Sequence, residues 1–131
     1  MTESSIQSEI LRELTRDPRV RLFRNNVSRA WSGEFVRRLP DGTVILRNAR
    51  PLRAGLIKGS ADLIGWAGPY FLSIEVKGPR GRPSPEQLTW LRAVQSAGGI
   101  AGIVRSVDEA RAILAAPPLL ATPLLGAHPL P

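Results

Sequence analysis

Cysteine is absent from the 131-residue chain, which excludes a disulfide framework, a zinc–thiolate site and a cysteine nucleophile. The one histidine, His128, lies in a proline-rich end away from every motif described below, and no role is assigned to it. No apolar run approaches the roughly 20 residues needed to cross a bilayer. The opening Met-Thr-Glu-Ser-Ser-Ile-Gln lacks the basic and apolar regions of a signal peptide, so a cytoplasmic protein is expected. There is no internal repeat and no heptad pattern. Nor is there a Gly-x-x-x-x-Gly-Lys-Ser/Thr loop to cradle a nucleotide, which leaves a phosphatase or nucleotide hydrolase with little support.

What the chain does have is positive charge, unevenly placed. The formal net charge is +7. Residues 16–58 hold eleven basic residues against Asp17, Glu34 and Asp41, so this segment alone carries +8. A local excess of arginine suits a phosphate-backbone binder, because each neutralised phosphate releases counterions. The plainer reading of the same charge is a solvated, solubilising surface. Basicity names nucleic acid as a class of partner and leaves the reaction open.

The length suits one domain, and a domain of this size buries roughly 65–70% of its unfolded surface. Ser4 and Gln7 read as a capping box opening a helix to about Arg16, with Ile6, Ile10 and Leu14 on one face. Val20 to Phe23 read as a strand ending in Arg24-Asn25-Asn26. Residues 34–39 and 43–47 predict a hairpin around Pro40-Asp41-Gly42, and Arg50 to Lys58 a basic loop. Ser84-Pro85-Glu86-Gln87 is a full helix start, with a serine cap, proline first and glutamine third. Gly98-Gly99 ends that helix. Ile100 to Arg105 predict a buried strand, and Ser106 to Glu109 another capping box for a helix through Leu114. Residues 117–131 are rich in proline and read as an extended tail following a domain of residues 1–116. The expected class is α/β, a mixed central β-sheet flanked by helices.

The chemistry concentrates in residues 61–77. Two short apolar runs, 61–66 and 71–77, flank Ala67-Gly68-Pro69-Tyr70. If that turn closes a hairpin, paired positions sum to 137, so Trp66 faces Phe71 and Asp62 faces Glu75. Opposed residues lie roughly 4.5–5.5 Å apart at Cβ, where two carboxylates repel unless a cation sits between them. Lys77 projects from the same face as Glu75, since side chains alternate along a strand. Two carboxylates and an amine make a candidate metal site for phosphodiester hydrolysis. The bland reading of Glu75 and Lys77 is a solvated strand face, and that of Asp62 a turn cap. Neither accounts for the second carboxylate. A one-residue slip in register would send Asp62 and Glu75 to opposite faces.

Asp62 followed by Glu75-Val76-Lys77 on a hairpin, then a helix and a strand, resembles the PD-(D/E)xK nuclease superfamily. More narrowly the chain resembles the VRR-Nuc family. The matching pieces are Glu3 to Gln7, Arg24-Asn25-Asn26, Lys58 to Asp62, Ile74 to Lys77, Ser84 to Gln87, and the run from Gly99 to Glu109. The resemblance spans residues 3–115 and implies a restriction-endonuclease-like core. It implies Mg²⁺ or Mn²⁺ held by Asp62, Glu75 and the carbonyl of Val76. It also implies Glu3 as an additional ligand, in preference to Glu9 or Glu13 on the same helix, Lys77 as the catalytic amine, and Gln87 as a glutamine near the site as well as a capping residue. The implied activity is a DNA endonuclease, selective for branched DNA such as four-way junctions. A homodimer and a phage or prophage setting go with that activity. The alternative class is a non-catalytic nucleic-acid-binding module using the arginine-rich surface.

Overall fold

The computed structural model describes residues 1–116; the proline-rich segment 117–131, and with it the expected tail, lies outside the described residues. The elements run α1 (Glu3–Leu14), β1 (Val20–Arg24), β2 (Ser28–Arg38), β3 (Val44–Ala54), β4 (Leu63–Ala67), β5 (Tyr70–Val76), α2 (Pro85–Ser96), β6 (Ile100–Val104) and α3 (Val107–Ala115). They form two compact units, each described by itself. One comprises Met1–Asn25 with the described residues from Lys58 onward, and the other is Asn26–Ile57.

The first unit is an α/β layer structure. Its sheet has the order β1-β4-β5-β6, antiparallel except for the parallel pair β5–β6. That parallel pair needs a crossover, and α2 supplies it. Ile6, Ile10 and Leu14 of α1 are buried, as their spacing predicts, against Leu72, Ile74, Val76 and Val104. On the other face Leu91 and Val94 of α2 pack with Ala61 and Ala101. Strand β5 is therefore covered on both faces. Ser73 and Glu75, on the side expected to be solvated in the bland reading, are 0% and 2% exposed. Among the described residues no helix is long and apolar enough to cross a membrane.

The hairpin register matches the predicted sum, with Leu63 paired to Ile74 and Trp66 to Phe71. Its loop is shorter than expected, because Ala67 also pairs with Tyr70 and leaves Gly68-Pro69 as the connection. The cap of helix α1 lies two residues before the expected one, Ser4. Thr2 takes that role, its Oγ1 accepting from the Ser5 N–H at 3.1 Å. Gln7 is released from the capping box and instead accepts from Arg24 Nη1 at 2.6 Å. At α2 the capping box is complete in both directions. At α3 half of it forms: Ser106 accepts from the Glu109 N–H, while the Glu109 carboxylate takes the Arg105 N–H at 2.7 Å.

The second unit is a two-stranded ribbon, longer than the sequence suggests. Asp41 accepts from the Thr43 N–H at 2.9 Å and Gly42 adopts φ +90°, so the predicted turn is there. Pairing then runs on to Ser28↔Ala54, and Arg50–Ala54, expected as loop, is strand. Both strands are edges, where a proline such as Pro51 is tolerated. Register shifts lie between Ser32 and Glu34 and between Phe35 and Arg37, and Asn48 takes a left-handed φ of 53° at the first.

Candidate active site

Strand β5 ends at Val76, and the site is built around that end. The β4–β5 ladder stops at Leu63↔Ile74, so Asp62 stands one residue beyond it. The Asp62 carbonyl accepts from the Asn25 N–H at 2.8 Å, and its Oδ2 accepts from the Val76 N–H at 2.9 Å. The carboxylate thus stands in for the ladder partner that β4 no longer supplies. It is held beside Glu75 by backbone geometry rather than by attraction.

Glu75 is sealed into the layer between β5 and α2. Its Oε1 accepts from Gln87 Nε2 at 2.9 Å and lies 3.5 Å from Lys77 Nζ. Its Oε2 is buried with no hydrogen-bond partner. Burial, and next the charge of Asp62, push the Glu75 carboxyl up to about 7, while Lys77 pulls the other way. The Lys77 side chain is 14% exposed, and its own N–H donates to the Val104 carbonyl at 3.0 Å, which anchors the strand end.

Gln87 performs two tasks with one side chain. Its Oε1 accepts from the Ser84 N–H at 2.9 Å, closing the capping box, while its Nε2 reaches Glu75. The first turn of α2 is packed tightly against the approach to Asp62. Gly59 has φ +91°, and a Cβ there would sit 2.7 Å from Glu86 backbone. Only glycine fits that crossing.

Asp62, Glu75, Lys77 and Gln87 come together as the sequence leads one to expect, all within the first unit. Glu3 is held at the same strand end by a different bond, its Oε1 accepting from the Gly78 N–H at 3.0 Å. Glu13, its rival, is engaged by Arg16 and Arg111 at 3.4 and 3.2 Å. Among the described residues no three His, Cys, Asp or Glu side chains cluster as a metal-binding group, so any ion would rest on a carboxylate pair and main-chain oxygen.

Two positioning residues went unassigned in the sequence. Asn25 is buried, and its Nδ2 donates to Ser60 Oγ and to the Ala61 carbonyl, each at 2.8 Å, fixing the segment that presents Asp62. Its signal was the Arg24-Asn25-Asn26 motif, given above as a strand end and a matching piece without a role for Asn25. Arg105 donates to the Gly78 and Gly81 carbonyls, the latter at 2.8 Å, and pins the loop that follows Lys77. Its signal was its place in the run from Gly99 to Glu109, which carried no role for the side chain itself.

An α/β layer whose central strand ends in paired carboxylates and a lysine is the framework of a nuclease. The VRR-NUC domain family model matches residues 1–108, and the chain belongs to that family. It is accordingly a nuclease, a hydrolase whose substrate is nucleic acid. Comparison with curated proteins and with solved structures gave no match.

Proposed function

We propose that the chain is a metal-dependent DNA endonuclease of the PD-(D/E)xK kind that selects branched DNA, four-way junctions in particular. The observation that carries this reading is Glu75: a buried carboxylate with one oxygen unpartnered and a second carboxylate beside it. Two anionic groups so placed fit a hard divalent cation, and Mg²⁺ or Mn²⁺ accepts Asp62, Glu75 and the Val76 carbonyl as oxygen donors. Glu3 becomes an additional donor where it exchanges its bond to the Gly78 N–H. An ion held by these residues would lower the pKa of a water and offset phosphate charge.

The side chains do the rest. Gln87 and Lys77 both engage Oε1 of Glu75, which leaves Oε2 free. Lys77 holds the attacking water or hydroxide and offsets the charge that grows on the phosphoryl oxygens. The water oxygen bonds to phosphorus as the bond to the in-line 3′ oxygen breaks; the water gives up a proton to solvent and the 3′ oxygen takes one up from solvent. The products are a 5′-phosphate and a 3′-hydroxyl. Two copies related by a two-fold axis would cut two strands at related positions.

End-labelled linear, flap and four-way-junction DNA, incubated with Mg²⁺, Mn²⁺ or EDTA, tests the proposal. Wild type is expected to cut with either metal and not in EDTA, with the junction cut fastest. Lys77→Ala and Glu75→Ala are expected to lose at least about a hundredfold in rate. Cleavage by Glu75→Ala at the wild-type rate would remove the basis of this reading.

A further inference from the structure

The ribbon of β2 and β3 carries side chains that the site above does not use. Residues 26–57 hold six arginines against Glu34 and Asp41. Among the described residues none of the six makes an ion pair. Arg29 lies directly opposite Arg53, and Trp31 opposite Pro51. No residue is inserted into β2 between 29 and 35, so Arg29, Trp31 and Phe35 project from one face. The two rings are among the most exposed apolar side chains in the protein, 66% for Trp31 and 67% for Phe35.

Like charges opposed across a strand pair repel, and large exposed rings forgo burial. Both become favourable with one kind of occupant. We propose that this face binds unpaired nucleotides, their bases stacked on Trp31 and Phe35 and their phosphates held by Arg29 and Arg53. The proposal rests on the family's nucleic-acid substrate and is independent of the metal chemistry. A second copy of the chain would bring the same arginine pair to the face, and the acid at Glu34 projects from the other side opposite Arg47. A polyanion removes the repulsion instead. Within that class the rings select unpaired nucleotides, because a base stacks on an aromatic side chain through a free face, and in a duplex those faces are already stacked. Trp31 and Phe35 are four residues apart on one strand, about 13 Å, so each takes a different base.

Binding of the full chain to fluorescein-labelled oligothymidylate and to a duplex of equal length, read by anisotropy in EDTA, tests this without cleavage. Trp31→Ala with Phe35→Ala is expected to weaken oligothymidylate binding at least about tenfold and duplex binding less than about twofold. Arg29→Ala with Arg53→Ala weakens both and flattens the salt dependence for the single strand by about 1.4 in log–log slope. Should the alanine pair fail to fold, Trp31→Leu keeps the apolar bulk without the ring and gives the same direction of loss. Wild-type affinity for oligothymidylate in these aromatic variants overturns the proposal, and so does equal loss on both DNAs. Conversion of a dimer to a monomer in sedimentation, with affinity unchanged, assigns the face to a second copy. Any of these outcomes leaves the cleavage result of Lys77→Ala standing, since that is read separately in Mg²⁺.

Discussion

Glu75 is held in a position that its own ionisation opposes. Its carboxyl is raised from 4.5 to about 7, chiefly by burial and then by Asp62. Between those two values the folded protein holds a proton that the unfolded chain has released. Stability therefore falls as pH rises through that window, by an amount on the order of 3 kcal/mol for this group. Glu75→Gln removes the ionisation and keeps the shape. The variant is expected to melt higher than wild type at pH 8 in EDTA, by several degrees, with the difference shrinking toward pH 5. Equal melting temperatures at both values would refute the assignment. If the proposed site holds Mg²⁺, the added ion is expected to raise the wild-type melting temperature at pH 8 and to leave Glu75→Gln nearly unmoved, since a bound cation favours the ionised form. Gln87→Glu provides the converse case. A glutamate still serves at the third position of a capping box, but it exchanges the donor to Glu75 for a third carboxylate. Helix α2 is expected to persist by circular dichroism while cleavage drops at least about tenfold. Unchanged cleavage would separate Gln87 from the site and leave it a cap.

At the scale of the elements, the end of β5 is held from three sides by bonds distant in sequence. Asn25 fixes the segment before Asp62, Glu3 takes the Gly78 N–H, and Arg105 pins the loop of Gly78 and Gly81. Asn25→Ala leaves the Ala61 carbonyl without this donor and is expected to cost about 1–3 kcal/mol in urea unfolding. Cleavage should fall more than stability accounts for, because Asp62 moves with the segment; a rate unchanged at a temperature where the variant is folded would deny Asn25 a positioning role. What was legible here follows a simple division. The cap at Ser84, the stripe of Ile6, Ile10 and Leu14, and the 137-sum register are local patterns, and each was read correctly. Thr2 as the cap of α1 was missed, because Thr2, Ser4 and Ser5 all carry hydroxyls suited to a cap. The burial of Ser73 and Glu75 was missed for a related reason. Alternation along β5 marks one apolar face, and the cover on the other comes from α2, which the strand's own sequence cannot announce.

Across the whole molecule, the apolar core lies in one unit and the densest positive charge in the other. Every residue of the two buried clusters lies in the first unit. The ribbon buries almost nothing and carries +4 of the chain's +7, six arginines less two acids. This is why its extent was underestimated from sequence. Without a buried face its strands lack the alternation that marks a strand, and they read as a short hairpin followed by a basic loop. A hairpin alone is marginally stable in water, so the ribbon contributes little to the global stability that the core sets. Because Arg29 pairs with Arg53, Ala30–Leu52 can be replaced by Asn-Gly, a two-residue turn suited to closing the shortened pair. The shortened protein is expected to melt within a few degrees of the full chain and to keep the Mg²⁺-dependent stabilisation that depends on Glu75. Its affinity for oligothymidylate in EDTA falls at least about tenfold, as the rings and four arginines go with the deletion. A loss of more than about ten degrees in melting temperature would mean that the ribbon is part of the cooperative fold, and its charge and aromatics would then need a structural account.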